Sequence, residues 1–244
     1  MFKSVFIAVF FCVAGLLGQS INDAAANSQK KELVILVHGL GRSSASMWLI
    51  DDRLQNMGYK TCRVDYRSRE LGLVKLIEDL GKEIGKCTIK YANLKSIHFV
   101  THSLGGPLVR AYFGENEMSG LGRVVMLSPP NSGSPLVDFA NQFQSARDIL
   151  GPTAAELHTG PDSWLARLPK PDYEVGIIGG DITFNPVAAY LLPGRDDGVV
   201  PLSHMWMEGM TDFTSVQATH VTIRYSKAAS ENIASFLQNG SFAN

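Results

Sequence analysis

The sequence around Ser103 predicts a strand, a tight turn and a helix in direct succession, and this junction constrains the fold more than any other feature. The apolar segment 96–101 leads into Val100-Thr101-His102-Ser103-Leu104-Gly105-Gly106, and a helical pattern follows as far as Glu117. A serine at the apex of such a turn projects its hydroxyl group away from the backbone, where a base can reach it. We therefore predict Ser103 to be a nucleophile; a serine that only caps the helix is the alternative.

The positions on either side of this serine also bear on the prediction. Strand and helix backbones crowd together at such a turn, so the residues two before and two after the serine must be small. Gly105 meets this requirement, whereas Thr101 stands in place of a glycine. A serine hydroxyl is a weak nucleophile by itself, so Ser103 also needs a base, a carboxylate and oxyanion donors.

Apolar runs alternate with helical patterns along most of the chain. The predicted strands are residues 33–37, 59–65, 96–101, 123–127, 173–178 and 212–218, and the longer predicted helices are 71–91, 103–117 and 226–238. Strands that alternate with helices form a parallel sheet with both faces covered. We predict an α/β protein with a mainly parallel sheet of about six strands flanked by helices. Segment 221–225 is also rich in β-branched residues, which leaves the end of the last strand open.

The N-terminal residues 1–26 have the pattern of an export signal. Lys3 precedes an apolar run over residues 5–17, which is short for a membrane span, and Ala24-Ala25-Ala26 provides small residues for cleavage. We therefore expect an exported protein, periplasmic or secreted, in which residues 27–244 form one domain. The alternative is a protein anchored in a membrane by an uncleaved N-terminal segment.

Composition excludes several kinds of partner. The formal net charge is −1 and the basic residues are scattered, so no nucleic-acid binding surface is predicted. The histidines are dispersed, and no H-E-x-x-H or C-x-x-C motif is present, so we expect neither a metal nor another cofactor. Beyond the N-terminal segment the cysteines are Cys62 and Cys87. In an exported protein such a pair is compatible with a disulfide or with two free thiols.

The proline-rich segment 129–172 interrupts the alternation of strands and helices. It contains short helical patterns and apolar side chains such as Phe139, Leu150 and Trp164. Long connections in compact domains are often functional, so we predict a small cap over the Ser103 site. An ordinary crossover helix with long loops is the alternative. The apolar side chains of a cap would favour an acyl substrate.

The loop His38-Gly39-Leu40-Gly41 follows the first predicted strand and is the candidate for an oxyanion hole. One donor in acyl transfer is the N–H of the residue after the nucleophile, here Leu104, and a second comes from a loop after an early strand. We assign the second donor to the Leu40 N–H, since Gly39 and Gly41 let the backbone approach a ligand closely. His38 is expected to shape the loop and not to titrate during the reaction.

The carboxylate is predicted in the segment Arg195-Asp196-Asp197-Gly198-Val199-Val200-Pro201, which lies on a long loop after the fifth strand. A carboxylate there can reach a histidine and hold it in the required tautomer. We predict Asp197 because it directly precedes the turn glycine; Asp196 and Asp181 are the alternatives. An Asp-Gly turn without a chemical role is a further interpretation.

His220 is the predicted general base, because it follows the last predicted strand and precedes the closing helix. The other histidines are worse placed, since they lie near the Asp197 loop, within the proline-rich segment or inside a strand. These alternatives are His204, His158 and His98.

Taken together, these residues resemble the α/β-hydrolase superfamily, and within it the bacterial lipase and esterase group. The matching segments are Leu36–Gly41, Val100–Gly106, Pro130–Leu136, Asp196–Pro201 and His220. The resemblance spans residues 33–239, and Thr101 in place of glycine is shared by many lipase-like members. It implies the α/β-hydrolase fold and hydrolysis of carboxylic esters through an acyl-enzyme, without a cofactor. It also implies that Ser103, Asp197 and His220 act in that chain order as nucleophile, acid and base.

The resemblance leaves the substrate open. The superfamily also includes acyltransferases, thioesterases and non-catalytic binding members, which are alternatives for this chain. We expect a small-molecule or lipid ester as substrate, with transient contact to a membrane or lipid surface. A nucleotide-dependent oxidoreductase is the alternative from another class: Gly39-Leu40-Gly41 and Asp65 match part of a dinucleotide-binding pattern, but Ser44 occupies the third glycine position.

Overall fold

The computed structural model describes residues 31–91 and 93–242, so the predicted export signal at residues 1–26 lies outside the described residues. One sheet of six parallel strands has the order β2-β1-β3-β4-β5-β6. The strands are β1 (Glu32–Val37), β2 (Lys60–Arg63), β3 (Ser96–His102), β4 (Leu121–Leu127), β5 (Val175–Gly180) and β6 (Asp212–Val216). Helices cover both faces, which confirms the predicted fold class.

Helices connect consecutive strands. They are α1 (Trp48–Asn56), α2 (Leu73–Lys90), α3 (Gly105–Glu115), α4 (Pro135–Ala140), α5 (Gln144–Leu150), α6 (Pro152–Ala155), α7 (Trp164–Arg167), α8 (Pro186–Leu191), α9 (Leu202–Met205) and α10 (Lys227–Asn239), with 3₁₀ helices at Ser44–Met47 and Thr222–Tyr225. The longest are those predicted from sequence. None of the helices in the described residues combines the length and apolar composition needed to cross a membrane.

Strand β1 shows why the sheet is buried on both faces. Leu33, Ile35 and Val37 contact an apolar cluster that includes residues of α2 and α3. Val34 and Leu36 point to the opposite face and contact a second cluster, which includes residues of α1 and α10. All five side chains have 0% exposure. A strand buried on both faces reads as an uninterrupted apolar run, as this segment does.

The segment predicted as a cap, residues 129–172, forms the connection between β4 and β5. It contains the four short helices α4–α7 and no strand of the sheet in its described residues. Ser134 and Ser163 cap two of these helices by accepting hydrogen bonds from the N–H groups of Leu136 and Leu165. The prolines therefore divide this connection into short helices and prevent one long crossover helix.

Two local features go beyond the sequence prediction. The end of the last strand, which the sequence left open, is at Val216, and Thr222–Tyr225 form a 3₁₀ helix, before which the Thr219 Oγ1 accepts from the Thr222 N–H at 3.2 Å. Helices α8 and α9 were not predicted from sequence. The Asn185 side chain caps α8 ahead of Pro186, and this Asn-Pro pair is the signal that could have located the helix.

Cys62 and Cys87 form a disulfide that links β2 to α2. Helix α2 runs back along the sheet, and its buried residues Leu76, Leu80 and Ile84 place Cys87 on the face that contacts β2. The pairing that the sequence left open is therefore present in the fold.

We expect loss of this disulfide to lower the free energy of unfolding by about 3 kcal/mol, because a loop of 25 residues is no longer closed in the unfolded chain. For a domain of this size the melting temperature should fall by about 6–12 °C. Thermal unfolding with and without dithiothreitol measures the effect. The Cys62→Ala/Cys87→Ala double variant is the control and should melt like the reduced protein in both buffers; equal melting of oxidised and reduced wild type would contradict the prediction.

Candidate active site

Ser103 lies at the turn between β3 and α3, with a positive φ of 53°. Its N–H donates to the carbonyl of Leu127 at 2.9 Å, which holds the turn against β4. A Cβ atom on Gly105 would lie 2.8 Å from the Val37 carbonyl oxygen, closer than such atoms approach in proteins. A non-glycine residue at positive φ is strained, and strain of this kind is concentrated at functional sites.

A chain of hydrogen bonds connects Ser103, His220 and Asp197. The Ser103 Oγ lies 2.9 Å from His220 Nε2, and His220 Nδ1 lies 2.7 Å from Asp197 Oδ2. The other oxygen, Asp197 Oδ1, accepts from the N–H groups of Val199 and Val200 at 2.9 and 2.8 Å. All three predicted residues are buried. This arrangement can move a proton from the hydroxyl to the imidazole while the carboxylate stabilises the imidazolium.

The position of His220 is also fixed through its backbone. Its N–H donates to the Asp197 carbonyl at 2.8 Å, and its own carbonyl lies 2.8 Å from His102 Nε2. His102 therefore donates through Nε2 and stays neutral, since burial holds its pKa well below the usual value. The positive charges of Arg224 and Arg42, and repulsion from the His220 imidazolium whenever that ring is charged, lower that pKa further.

Protonation of His102 should make the protein less stable in acid. The pKa of His102 is lower in the folded protein than in the unfolded chain, so the unfolded chain binds more protons below about pH 6.5. The contribution of neutral His102 to the free energy of unfolding is therefore fully present above this pH and is lost as the pH falls. We expect a loss of up to about 1.4 kcal/mol per pH unit from this histidine. Urea unfolding between pH 7.5 and 5.0 measures it. His102→Gln keeps a donor for the His220 carbonyl and should show a smaller slope; equal slopes would contradict the prediction.

The alternative carboxylates have other partners. The Asp181 carboxylate accepts from the guanidinium of Arg195 and from the Ser215 hydroxyl. Asp196 Oδ1 accepts from the Gly198 N–H at 2.7 Å and so shapes the turn. Within the described residues, Asp197 is hydrogen-bonded to His220, and Asp181 and Asp196 are not.

The alternative histidines also contact other groups. His204 Nδ1 lies 3.1 Å from the Gly133 carbonyl, and His158 Nδ1 lies 2.8 Å from the carbonyl of Thr159. His98, within β3, accepts from the Arg123 N–H. None of these three rings is hydrogen-bonded to Ser103 in the part of the chain that the structure describes.

The loop after β1 lies directly against the Ser103 turn. A Cβ atom on Gly39 would be 3.0 Å from the Ser103 Cβ, and Gly41 has a φ of 63°. Neither the Leu40 N–H nor the Leu104 N–H donates a hydrogen bond within the described residues, so both remain available to a ligand. The structure thus places both predicted oxyanion donors on the two segments that meet at Ser103.

His38 has a structural position in this loop. Its ring stacks on Tyr66 with a centroid distance of 4.1 Å, and its Nδ1–H donates to the Gly39 carbonyl at 2.8 Å. Burial lowers its pKa, with smaller opposing effects from the hydrogen bond to Gly39 and from Asp65. The ring is fully buried, which agrees with a role in shaping the loop.

A cavity of about 340 Å³ opens beside Ser103 and His220. Much of its wall comes from segment 129–172, which contributes Pro130, Ser134, Leu136, Val137, Ala140, Leu150, Ala154 and Leu157. The remaining lining residues are Leu40, Arg42, His102, Ser103, Val199, Val200, His220 and Val221. The wall is mostly apolar and suits an acyl chain. Sequence reasoning did not assign Arg42 to the site, although it lies two positions after Leu40.

Comparisons with known proteins agree with this description. The chain matches the sequence model of the alpha/beta hydrolase family over residues 34–226. The mature Bacillus licheniformis lipase BlEst2 gives a TM-score of 0.70 at 18% identity, over 88% of this chain and 93% of that one. A metagenomic carboxyl esterase gives 0.54 at 21% identity, over 80% of this chain and 66% of that one. No curated protein sequence matches the chain.

A third structure is similar over a smaller share of its length. The phospholipase PlaB from Legionella pneumophila, in complex with thio-NAD, gives a TM-score of 0.58 at 21% identity, over 72% of this chain and 44% of that one. At these identities the structural likenesses are evidence for the shared fold.

Proposed function

The chain belongs to the alpha/beta hydrolase family, and on that premise we propose that it is a serine hydrolase that cleaves carboxylic esters through an acyl-enzyme. The observation that carries the proposal is the hydrogen-bonded series Ser103, His220 and Asp197 beside an apolar cavity. The distance from Ser103 Oγ to His220 Nε2 is 2.9 Å and that from His220 Nδ1 to Asp197 Oδ2 is 2.7 Å. Both are within the hydrogen-bonding range that a nucleophile, its base and the group that orients the base require.

Acylation begins when the Ser103 Oγ attacks the ester carbonyl carbon and His220 Nε2 takes the hydroxyl proton. The carbonyl oxygen gains the negative charge of the tetrahedral intermediate, and the N–H groups of Leu40 and Leu104 bind it. His220 then gives its proton to the leaving alkoxide oxygen as the carbon–oxygen bond breaks. The alcohol leaves, and the acyl group remains on Ser103.

Deacylation repeats these steps with water. His220 takes a proton from a water molecule, whose oxygen attacks the acyl carbon, and the collapse of the second intermediate returns the proton to Ser103. Asp197 keeps the His220 Nδ1 proton in place throughout and stabilises the imidazolium. Two backbone N–H groups already satisfy Asp197 Oδ1, so Oδ2 is left to face the imidazole.

The cavity supports an acyl group as the part of the substrate nearest the proposed cap. Leu136, Val137, Leu150 and Leu157 supply an apolar wall that removes an acyl chain from water. We include the cap and an acyl ester, from a lipid or a small molecule, in the proposal.

We also propose that the protein acts outside the cytoplasm. The Cys62–Cys87 disulfide supports this, because structural disulfides form and persist mainly in oxidising compartments.

The test uses the mature protein with p-nitrophenyl esters from acetate to palmitate and with a fluorophosphonate probe. We expect hydrolysis with an optimum chain length, and a single phosphonate adduct that mass spectrometry assigns to Ser103. Absence of both hydrolysis and labelling in folded protein would overturn the proposal. If an added alcohol captures most of the acyl group in competition with water, the enzyme is an acyltransferase and the hydrolytic step is wrong.

A further inference from the structure

Arg42 alone carries a permanent charge among the described residues that line the cavity. It lies on the loop after β1, and its N–H donates to the Gly39 carbonyl at 3.3 Å. Its side chain is exposed, and within residues 31–91 and 93–242 its guanidinium makes neither a hydrogen bond nor an ion pair. A mostly apolar cavity is therefore lined by one arginine whose guanidinium has no partner within the described residues.

Arg224 adds positive charge next to Arg42. Its side chain is 2% exposed, and its Nη1 donates to the Ser46 carbonyl at 3.1 Å. Its Nε has no hydrogen-bond partner in the described residues, and no described carboxylate forms an ion pair with it. Its bond to Ser46 places this guanidinium against the same loop, four positions after Arg42. Burial lowers the pKa of Arg224, and the charge of Arg42 acts in the same direction.

A third arginine, Arg69, lies next to Gly41 of this loop. The Arg69 Cδ would be 3.1 Å from a Cβ atom on Gly41, and the Arg69 guanidinium donates to the Ile149 carbonyl. This side chain likewise has no carboxylate partner in the described part of the chain. Three arginines therefore lie on or near the loop that holds the Leu40 donor, and none of them is ion-paired within the described residues. The nearby carboxylate of Asp65 accepts instead from the Ser44 N–H at 3.2 Å.

A guanidinium without an ion-pair partner at the mouth of a cavity can bind an oxyanion, because hydrogen bonds from a charged donor to phosphate or carboxylate are about twice as strong as neutral ones. The anion cannot lie at the end of the acyl chain, since the acyl wall is apolar and an unpaired charge there would be desolvated. The remaining position is on the alcohol portion of the ester.

We propose that the substrate is an ester whose alcohol portion carries an oxyanion, such as a phosphate, and that Arg42 binds this group. The proposal rests on the ester hydrolysis proposed above and names the substrate class of the same site. Arg224 and Arg69 contribute positive potential around Arg42. Arg42 is thus a specificity-determining residue and takes no part in the transfer of protons.

The test compares 1-hexanoylglycerol 3-phosphate with 1-hexanoylglycerol, which share the acyl chain and are assayed as monomers in solution. We expect the wild type to favour the phosphate ester about tenfold or more in kcat/KM, the size of one charge-assisted hydrogen bond. Arg42→Gln should remove this preference, and Arg42→Lys should keep part of it. Arg67→Gln is the matched control, because Arg67 pairs with Asp79 at 3.8 Å; the preference should be unchanged.

The outcomes separate this proposal from the one on which it rests. Loss of all ester hydrolysis overturns the proposed function. Ser103-dependent hydrolysis of p-nitrophenyl esters with no preference for the phosphate ester, or with the same preference in Arg42→Gln, overturns only the role of Arg42.

Two further measurements test whether Arg42 binds an anion from a source other than the substrate. If inorganic phosphate inhibits hydrolysis of the neutral ester through Arg42 while the phosphate ester is not preferred, the arginine binds free phosphate and the proposal is wrong. If Arg42-dependent activation occurs only on phosphatidylglycerol vesicles, and not on phosphatidylcholine vesicles or with the soluble ester pair, Arg42 binds a membrane surface and the proposal is again wrong.

Discussion

Ser103→Ala is expected to lower kcat/KM for p-nitrophenyl butyrate by about 10⁵-fold or more, because the acyl-enzyme cannot form without the Oγ. The hydroxyl is the only group placed 2.9 Å from His220 Nε2 in the described residues, so no neighbouring side chain replaces it. Initial rates, with active sites counted by phosphonate labelling, measure the effect. The variant should lose labelling completely.

Ser134→Ala is the matched control for this substitution. Ser134 lines the same cavity, but its hydroxyl donates to the Val199 carbonyl at 2.5 Å and is not bonded to a histidine. We expect a loss of less than about tenfold, since only packing and a helix cap are disturbed. Circular dichroism and melting temperature check that both variants fold. A folded Ser103→Ala variant that retains activity would show that another residue is the nucleophile.

Asp197→Asn is expected to lower kcat by about 10⁴-fold while the fold is retained. The N–H groups of Val199 and Val200 hold one side-chain oxygen, so an asparagine would keep its carbonyl there and turn its NH₂ group toward His220. The imidazole Nδ1 must then accept a hydrogen bond, which moves the ring proton to Nε2. In that tautomer His220 cannot take the proton of Ser103.

Asp181→Asn provides the comparison for the acid. Asp181 is also a carboxylate near the end of β5, but it is paired with Arg195 and Ser215. We expect its activity to stay within a few-fold of wild type. Measurements of kcat at saturating p-nitrophenyl butyrate distinguish the two aspartates. A large loss of kcat in Asp181→Asn and a small one in Asp197→Asn would show that Asp197 is not the acid and that our assignment is wrong.

Much of the fold could be predicted because its signals are local. Uninterrupted apolar runs such as 33–37 indicate strands buried on both faces, and the spacing of Leu76, Leu80 and Ile84 indicates the buried face of α2. The predicted family resemblance is confirmed by the family match over residues 34–226. The residues of the candidate site were named in their chain order, and the structure brings their side chains together.

Other features depend on contacts between distant segments and could not be predicted. Asp181 pairs with the Arg195 guanidinium, whereas Asp197 is hydrogen-bonded to His220, and no local pattern distinguishes these two partners. The hydrogen bond from Arg224 to the Ser46 carbonyl connects residues 178 positions apart, and no local pattern indicates it. The 3₁₀ helix at Thr222–Tyr225 forms despite the β-branched residues of its segment, because β propensity depends on the surroundings of a residue.

The Cys62–Cys87 disulfide lies at the β2 edge of the sheet, whereas Asp197 and His220 follow β5 and β6 at the other edge. Because the bridge lies at the edge away from Asp197 and His220, we expect its main effect to be on the lifetime of the folded protein: molecules with an open bridge should be lost by unfolding faster. Prolonged exposure to a reductant would therefore lower the amount of folded protein that remains.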